Sequence, residues 1–467
     1  MTDDLGVART AVSPRRLLVP LALAQFICSF AGSNMNVMIN DISEDLDTTV
    51  QGVQLAITLF LLVMAALMIP AGKLSDKYGR KRCFLVGLVV YGVGALMSAV
   101  APGLGILILG NSVFEGVGTA LLIPPVYILA TLWFTNLTRR AWAFGVISGL
   151  GGIGAAAGPL IGGLITTAIS WRASFVFQAV VVVIIILLGR RITDPLPADP
   201  TRPFDAVGAA LSGAGMFCLV FGILQAGSNN TLMAVFLVIG IVLLAGFYLY
   251  IRTRERAGKE PLLSTGVFRN RTCNFALVTQ NIQWLILMGT SFVVSVYLQT
   301  VREYSAIRTG VIFTAATVGL LISSLAAERF AKRRAQKTLI VSGFVLSLTG
   351  IALLIGLVVT WSSIVAFVPG LFLVGFGLGG MLTPSVNVVQ SSFPEEQQGE
   401  ISGLSRSVSN LGSSFGTAIA GTILVAAASR GNGAYAWAMV SVAIFGLIGL
   451  GAALLLPAKP EKQATAT

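Results

Sequence analysis

The fold of this chain is decided by the stretch Gly72-Lys-Leu-Ser-Asp-Lys-Tyr-Gly-Arg-Lys-Arg82, which lies between two long apolar runs. It places five cations, the carboxylate of Asp76 and two glycines in a connection so tight that it can only join two antiparallel helices. Glycine permits close backbone approach and positive φ angles in such a turn. Clustered lysine and arginine beside an apolar run are typical of the cytoplasmic side of a membrane. The stretch therefore predicts a positively charged inner loop of a helical membrane protein.

Composition points the same way and excludes several classes of function. Of the 467 residues, 55% are hydrophobic and 11% are charged, and the mean hydropathy is +0.87, whereas soluble proteins carry about 25% charged residues. The chain has no histidine, and its four cysteines show no metal-binding spacing, so the usual zinc sites and general bases are missing. It has no P-loop either. We therefore expect a membrane protein that is not an enzyme, with no cofactor, no metal and no nucleic-acid partner.

Fourteen apolar windows are long enough to cross a bilayer, which takes about 20 residues. They are 17–39, 52–71, 83–101, 104–126, 141–163, 174–189, 205–227, 232–251, 272–298, 308–327, 338–358, 362–387, 403–427 and 433–456. With the N-terminus inside, 26 of the 31 lysines and arginines fall in inner segments and four in outer loops, while Arg406 falls near the inner end of the thirteenth window. This bias predicts a multi-pass protein of the inner (plasma) membrane with both termini cytoplasmic. It also explains the net charge of +12, because the cations face the anionic inner leaflet.

The first six and last six windows repeat each other weakly. Gly154 and Gly158 in the fifth window recur as Gly412 and Gly416 in the thirteenth, at an offset of 258 residues. Duplicated helical bundles with a site between them are the plan of a transporter. We therefore expect an all-α integral membrane fold with 14 transmembrane helices. Its parts are a cytoplasmic tail (1–16), two six-helix bundles (17–195 and 270–456), two inserted helices (204–252) and a second cytoplasmic tail (457–467).

The opening stretch resembles the loop between helices 2 and 3 of the major facilitator superfamily, whose pattern is Gly-x-Leu-x-Asp-x-x-Gly-Arg-Lys. The matching residues are Gly72, Leu74, Asp76, Gly79, Arg80 and Lys81. We expect Asp76 to help hold the two bundles together at the inner mouth. A generic charged inner loop is the plainer interpretation of the same residues.

The fifth window resembles the antiporter motif of drug-exporting facilitators, Gly-x-x-x-Gly-Pro-x-x-Gly-Gly. The matching residues are Gly154, Gly158, Pro159, Gly162 and Gly163. Small residues four apart also let two helices pack closely, whatever their function. Shorter stretches, such as Gly399-Glu-Ile-Ser-Gly403, resemble the 14-helix drug:proton antiporter branch of the superfamily. The resemblance runs from about residue 17 to residue 456 and implies a secondary active exporter of the multidrug-efflux type.

Two departures from that branch bear on proton coupling. Asn34 stands where the branch carries an aspartate in helix 1, and Ser112 stands where helix 4 carries an arginine. Glu115 is the acidic residue near the middle of a predicted span, where a charge costs at least about 2.5 kcal/mol. It is therefore the candidate proton or cation site. A structural carboxyl, hydrogen-bonded to a neighbouring helix, is the alternative.

Further polar or aromatic residues in the core windows are candidates for a substrate cavity: Gln25, Asn34, Asn36, Asn281, Trp284, Asn387 and Gln390. Any one of them is more often a contact between helices than a ligand contact. Together they predict a mostly apolar cavity suited to amphiphilic or lipophilic molecules, since sugars or phosphates would require embedded arginines.

The expected function is proton-driven export of such molecules by alternating access. The expected partners are a small-molecule substrate, the lipid bilayer and protons, and the expected state is a monomer. An uncoupled facilitator or an exporter of lipid-like solutes with the same fold is the alternative within transport. A membrane sensor is the alternative outside it.

Overall fold

The computed structural model describes residues 14–134, 137–201, 203–226, 229–331, 335–360, 363–393, 398–426 and 432–457. Residues 1–13 and 458–467, which make up most of the two predicted tails, lie outside these ranges. The described chain folds into fourteen long helices, and each overlaps one predicted window. They are α1 (Pro14–Asn34), α2 (Val50–Tyr78), α3 (Arg80–Ala99), α4 (Leu104–Trp133), α5 (Leu137–Ala168), α6 (Trp171–Gly189), α7 (Ala206–Leu224), α8 (Asn230–Arg256), α9 (Arg271–Val301), α10 (Ala306–Ala331), α11 (Gln336–Thr360), α12 (Phe367–Ser391), α13 (Gln398–Ala426) and α14 (Asn432–Leu454).

Twelve of the fourteen helices are long and apolar enough to cross a membrane. Helix α5 bends by 43° between Ala155 and Ala157 and counts as a thirteenth span if its two parts are taken together. Pro159 has no N–H to bond the carbonyl of Ala155, which explains a bend at this point. Helix α13 is too rich in serine to pass the same test. An all-α membrane protein is therefore confirmed, while the count of fourteen spans stays a prediction.

Capping side chains determine where several of the helices begin. Thr49 accepts a hydrogen bond from the N–H of Gly52 at the start of α2, at 3.2 Å. Asn270 does the same for Cys273 at the start of α9, at 3.0 Å. Each side chain satisfies one of the backbone donors that a helix leaves unpaired in its first turn. The apolar runs thus determine how long the helices are, and the caps determine at which residue they begin.

Helices pair in the same way in the two halves of the chain. Helix α1 packs on α5 as α9 packs on α13, and α3 packs on α4 as α11 packs on α12. The backbones approach closely at equivalent glycines. A Cβ added at Gly87 would lie 2.8 Å from the carbonyl oxygen of Gly118, and one added at Gly343 would lie 2.7 Å from that of Gly377. The weak repeat in the sequence is therefore a repeat of helix contacts.

Two further helix pairs join the halves, and the inserted helices lie beside one of them. Helix α2 packs along α13, and α5 packs along α10. Helix α7 lies against α2 and α13, where Leu62, Val220 and Ala418 form a small apolar cluster. Helix α8 packs on α7, and only 11% of its span is buried inside the protein. The inserted pair therefore covers the outside of the contact between α2 and α13.

Candidate substrate cavity between the two halves

A cavity lies between the two halves, bounded by α1, α2, α4, α5, α9 and α13. The space open to a water-sized molecule is about 40 Å³, and all the space between its walls is about 510 Å³ when the open mouth is included. Most of its wall is apolar and comes from Phe60, Leu61, Met64, Met68, Trp284 and Met288. Methionine adapts its shape to different neighbours, and aromatic rings offer large flat contact areas. The groups of this wall offer contacts to hydrophobic surfaces more than to ions.

A chain of polar contacts crosses this cavity from one half to the other. Gln25 on α1 donates from its amide to Ser29, at 3.0 Å, and accepts from the hydroxyl of Tyr127 on α4, at 3.2 Å. Arg406 on α13 donates from Nη2 to the same Tyr127 hydroxyl. The Arg406 guanidinium carbon lies 4.5 Å from the centre of the Tyr127 ring, within range of a cation–π interaction. A cation of the second half is thereby held by an aromatic residue of the first.

The turn between α2 and α3, which lies in the charged stretch 72–82, is shorter than expected. Helix α2 continues to Tyr78, α3 begins at Arg80, and Gly79 alone makes the turn with φ of 96°. That angle is costly for residues with a side chain and free for glycine. Asp76 accepts a 2.6 Å bond from the Arg80 side chain, and Asp194 accepts the backbone N–H of Arg80 at 2.7 Å. A carboxylate at the first turn of α3 complements the positive end of the helix.

Lys73, in the same stretch, reaches the second half. Its ammonium lies 2.8 Å from Glu260 and 3.9 Å from Glu400, near the start of α13. Glu400 also accepts the backbone N–H of Ser264. Burial raises the pKa of Glu400 above its usual range, an effect that the Ser264 N–H and Lys73 oppose but do not cancel. We call Lys73, Glu260, Glu400 and Ser264 the inner contact.

A second set of contacts joins the halves at the opposite end of the cavity. Asn36 donates to the hydroxyl of Ser291, at 3.3 Å. Gln299 donates to the carbonyl of Asn36 and accepts, on its own carbonyl, the amide of Asn40, both at 2.9 Å. We call these four residues the outer contact. The cavity thus lies between two groups of polar contacts that share no residue.

The glycines of α5 bring this helix close to both halves. Gly154 packs against the carbonyl of Phe26 on α1, so closely that an added Cβ would lie within 3.0 Å of it. At Gly310 of α10, an added Cβ would lie 2.5 Å from the carbonyl of Pro159. Helix α5 is therefore packed on α1 within its own half and directly on α10 of the other half.

Comparison with known proteins places this architecture in a family. The sequence profile of the Major Facilitator Superfamily matches residues 21–213 and again residues 206–417. The chain belongs to this superfamily. It is 30% identical to the puromycin resistance protein pur8 of Streptomyces alboniger over 421 residues, which cover 88% of this chain and 82% of that protein. As a facilitator it is a transporter and not an enzyme.

Two further relatives of this facilitator cover similar shares of its length. The multidrug efflux pump LfrA of Mycolicibacterium smegmatis is 28% identical over 90% of this chain and 83% of its own length. The tetracenomycin C resistance and export protein of Streptomyces glaucescens is 29% identical over 90% of this chain and 79% of its own length.

The residues predicted for the cavity divide into three groups in this facilitator. Gln25 and Trp284 line the cavity. Asn34, Asn36 and Asn281 are not among the lining residues and bond other helices instead: Asn34 donates to Ser174 at 3.0 Å, Asn36 belongs to the outer contact, and Asn281 donates to the carbonyl of Val408 at 2.8 Å. Asn387 is exposed and Gln390 is half-buried, and neither lines the cavity.

Glu115 is fully buried inside the first half and is not among the lining residues. Its carboxylate lies 3.4 Å from Ser98 on α3 and 3.4 Å from Asn111, one turn earlier on α4. Residues Ile108–Glu115 form a π-helical segment, a geometry often found at functional sites. Ser112 donates to the carbonyl of Ala56 on α2, at 2.8 Å. The side chain that replaces the branch's arginine is thus a contact between helices.

Sequence reasoning missed Arg406 and Asp194. Arg406 was expected near the inner end of its helix, yet it lines the central cavity. The adjacent Ser407 bonds the carbonyl of Ala65, near the middle of the 29-residue α2. The available signal was the row of Ser405, Ser407, Ser409 and Ser413 around Arg406, because such a polar run is expected on a helix that faces protein and a cavity. For Asp194 the signal was a carboxylate that closely follows the inner cations Arg190 and Arg191.

Proposed function

We propose that this facilitator exports amphiphilic or lipophilic small molecules by alternating access. The observation that carries the proposal is the cavity between the halves, with its apolar wall and few polar groups, lying between the inner and outer contacts. Each group of contacts consists of side-chain bonds that can break without unfolding a helix. Opening one end while the other stays closed would expose the cavity to one side of the membrane at a time.

The direction of transport is inferred from the relatives. Three of them are named for puromycin resistance, multidrug efflux and the export of tetracenomycin C. Efflux and export are transport out of a cell, and the apolar wall of this cavity suits hydrophobic or amphiphilic compounds. The glycines and proline of α5, which match the pattern of drug-exporting facilitators, support the same direction.

The orientation follows from charge. Placing both termini in the cytoplasm puts the Lys73 segment and most other cations on the inner side of the plasma membrane. The repeated helix contacts support two bundles at 17–195 and 270–456, and the position of α7 and α8 supports a separate inserted pair at 204–252. The cavity lies within one chain, so a monomer would suffice for transport.

For the driving force we propose protons, with Glu115 as the coupling carboxyl. Glu115 is buried beside Ser98 and Asn111, which are uncharged. Gain or loss of a proton by Glu115 therefore sets the charge of this site. The second candidate is an uncoupled facilitator. It is favoured by a different observation, namely that no aspartate or glutamate is among the residues lining the described cavity.

Accumulation in everted membrane vesicles tests the proposal. Vesicles with and without the protein are given fluorescent amphiphiles of negative, zero and positive charge, in the presence and absence of a pH gradient that is acid inside. We expect accumulation that requires the protein and the gradient. Equal uptake in both kinds of vesicle would overturn export, and equilibration without accumulation would favour the uncoupled facilitator.

A further inference from the structure

We propose that Arg406 is the anion-binding group of the cavity, so that the molecules this facilitator carries include amphiphiles with a carboxylate. The inference rests on the proposed export function and narrows its substrate class. It begins with the position of the side chain. Arg406 is half-buried on α13 and lines the cavity between the halves, at a depth where an arginine is costly unless it has partners.

The partners of Arg406 leave most of its hydrogen-bonding capacity unused. A guanidinium has five N–H donors and no acceptor. Among the described residues, Arg406 makes one hydrogen bond, to the Tyr127 hydroxyl. The ion pairs of the described chain involve Lys73, Arg80, Arg172 and Arg254, and none involves Arg406. The contrast is with Arg172, which lies 2.6 Å from a carboxylate of Asp45.

The surroundings of Arg406 are suited to a bound carboxylate. No acidic residue is among those that line the described cavity, so nothing there competes for the cation. Asn410 lies on the same helix and lines the same cavity, and its side-chain amide can donate further hydrogen bonds. Ser409 and Ser413 also line the cavity, but their hydroxyls already donate to the carbonyls of Ser405 and Ser409. A guanidinium binds a carboxylate through two parallel bonds. The Tyr127 hydroxyl takes a donor of Nη2, which leaves the donors of Nε and Nη1 for a ligand.

The rest of the cavity wall is suited to the uncharged part of the ligand. Phe60, Met64, Met68, Trp284 and Met288 present carbon and sulfur to the cavity. A molecule with an aromatic or aliphatic body and one carboxylate would place each part against a matching surface. The competing interpretation is that Arg406 only connects the halves through Tyr127, in which case a ligand's charge would make no difference to binding.

Binding to the purified full-length protein in lipid nanodiscs separates the two interpretations. The probes are pyrenebutyrate and its neutral amide, which share one aromatic body. Energy transfer from tryptophan to pyrene reports binding, since Trp284 lies in the cavity wall. We expect the carboxylate to bind about tenfold to a hundredfold more tightly than the amide, the range for hydrogen bonds to a charged group. Arg406→Gln should remove this preference and leave the affinity for the amide unchanged.

A matched control comes from a second arginine stacked on a tyrosine. Arg308 lies 5.5 Å from the ring centre of Tyr304, but it is exposed and does not line the cavity. Arg308→Gln should keep the full preference for the carboxylate. Loss of the preference in Arg308→Gln would overturn the assignment to Arg406.

Competition in the unmodified protein keeps the test valid if Arg406→Gln does not fold. Benzoate should displace pyrenebutyrate at concentrations at which benzamide does not. Equal displacement by both, or an unchanged preference in a folded Arg406→Gln protein, would overturn the anion site. Neither result would affect the export proposal, which fails if vesicles with the protein take up no more amphiphile of any charge than vesicles without it.

Discussion

Single charged residues inside the helices of this facilitator are distinguished by their partners. Arg406 lies in the cavity wall with an uncharged aromatic partner, whereas Glu115 lies inside one half with a serine and an asparagine. Glu115 could be found from the sequence because a lone acid stands out in an apolar run. The position of Arg406 in the cavity could not be predicted from sequence alone. The polar residues around it lower the local hydropathy, so this part of the helix does not look like part of a membrane span.

The first prediction concerns Glu115→Gln. The substitution keeps the size of the side chain and the oxygen that accepts from Ser98, but it removes the group that binds a proton. The Asn111 amide must turn so that its oxygen, which has no partner in the described residues, accepts from the new amide. We expect it to abolish accumulation driven by a pH gradient while passive exchange of the substrate continues. Everted vesicles measure both rates. Glu44→Gln, which changes an exposed acid, is the control, and uphill transport by Glu115→Gln at the parent's rate would assign a structural role to Glu115.

The second prediction concerns the pH dependence of the inner contact. Because burial raises the pKa of Glu400, the closed contact binds a proton more tightly than a state in which Glu400 faces water. Closure should therefore become more favourable as the pH falls from above the raised pKa towards the ordinary value of 4.5. Lys73, Glu260 and Glu255 are the charged groups that act on Glu400 in the closed state.

Spin-label distances across the inner mouth measure this equilibrium. Labels at Tyr78 and Ser391, both exposed, should report a larger closed fraction at acid pH. Glu400→Gln should weaken this dependence and keep the closed fraction high at neutral pH. A closed fraction that does not change with pH in the parent protein would contradict the assignment to Glu400.

At the scale of elements, helix α13 shows how far hydropathy can predict this fold. Its serines bond the carbonyls of Thr58 and Ala65 on α2 and the side chain of Gln280 on α9. A helix with such partners needs no apolar surface on those faces. Hydropathy identifies the window 403–427 because its last part is apolar. The residues that contact α2 and line the cavity lie in its polar part, which a hydropathy scale does not recognise as buried.

The third prediction concerns the packing of α5 on α1. A Cβ at Gly154 would collide with the backbone of Phe26, whereas one at Gly149 on the same helix would have nothing within 4 Å. We expect Gly154→Ala to destabilise the protein by about 1–3 kcal/mol, the range for overpacking, and to slow transport. Gly149→Ala should be neutral or slightly stabilising. Thermal unfolding in detergent compares the two, and equal midpoints would show that α1 moves aside without cost.

At the scale of the whole molecule, the repeat of glycines along the chain predicted two similar bundles with a site between them, but not which helices pair within each half. It could not predict which residues line the cavity, because they come from six helices and lie as far apart as Gln25 and Ser413. The contacts between the halves could not be predicted from the sequence either. Asn36 and Ser291, or Lys73 and Glu400, carry no local signal that they meet, and only the packing of α2 on α13 and α5 on α10 brings them together.

The fourth prediction concerns the inserted helices. Helix α7 covers the contact between α2 and α13 from outside, and α8 lies beyond it. Neither contributes a residue to the lining of the described cavity. Single cysteines introduced along 205–251 should therefore react with a thiol reagent at the same rate with and without substrate. A cysteine at Ser409 is the positive control, and protection by substrate within α7 would place that helix at the substrate path.

Alternation of the two ends is the central claim, and reversible crosslinking tests it most directly. The four native cysteines are replaced, and cysteine pairs are introduced at Asn36 and Ser291 for the outer contact or at Lys73 and Glu400 for the inner one. A short cleavable crosslinker then joins either pair in everted vesicles. We predict that each crosslink stops accumulation, that cleavage restores it, and that single-cysteine proteins are unaffected by the same treatment. Transport at the parent's rate with both ends crosslinked would contradict alternating access.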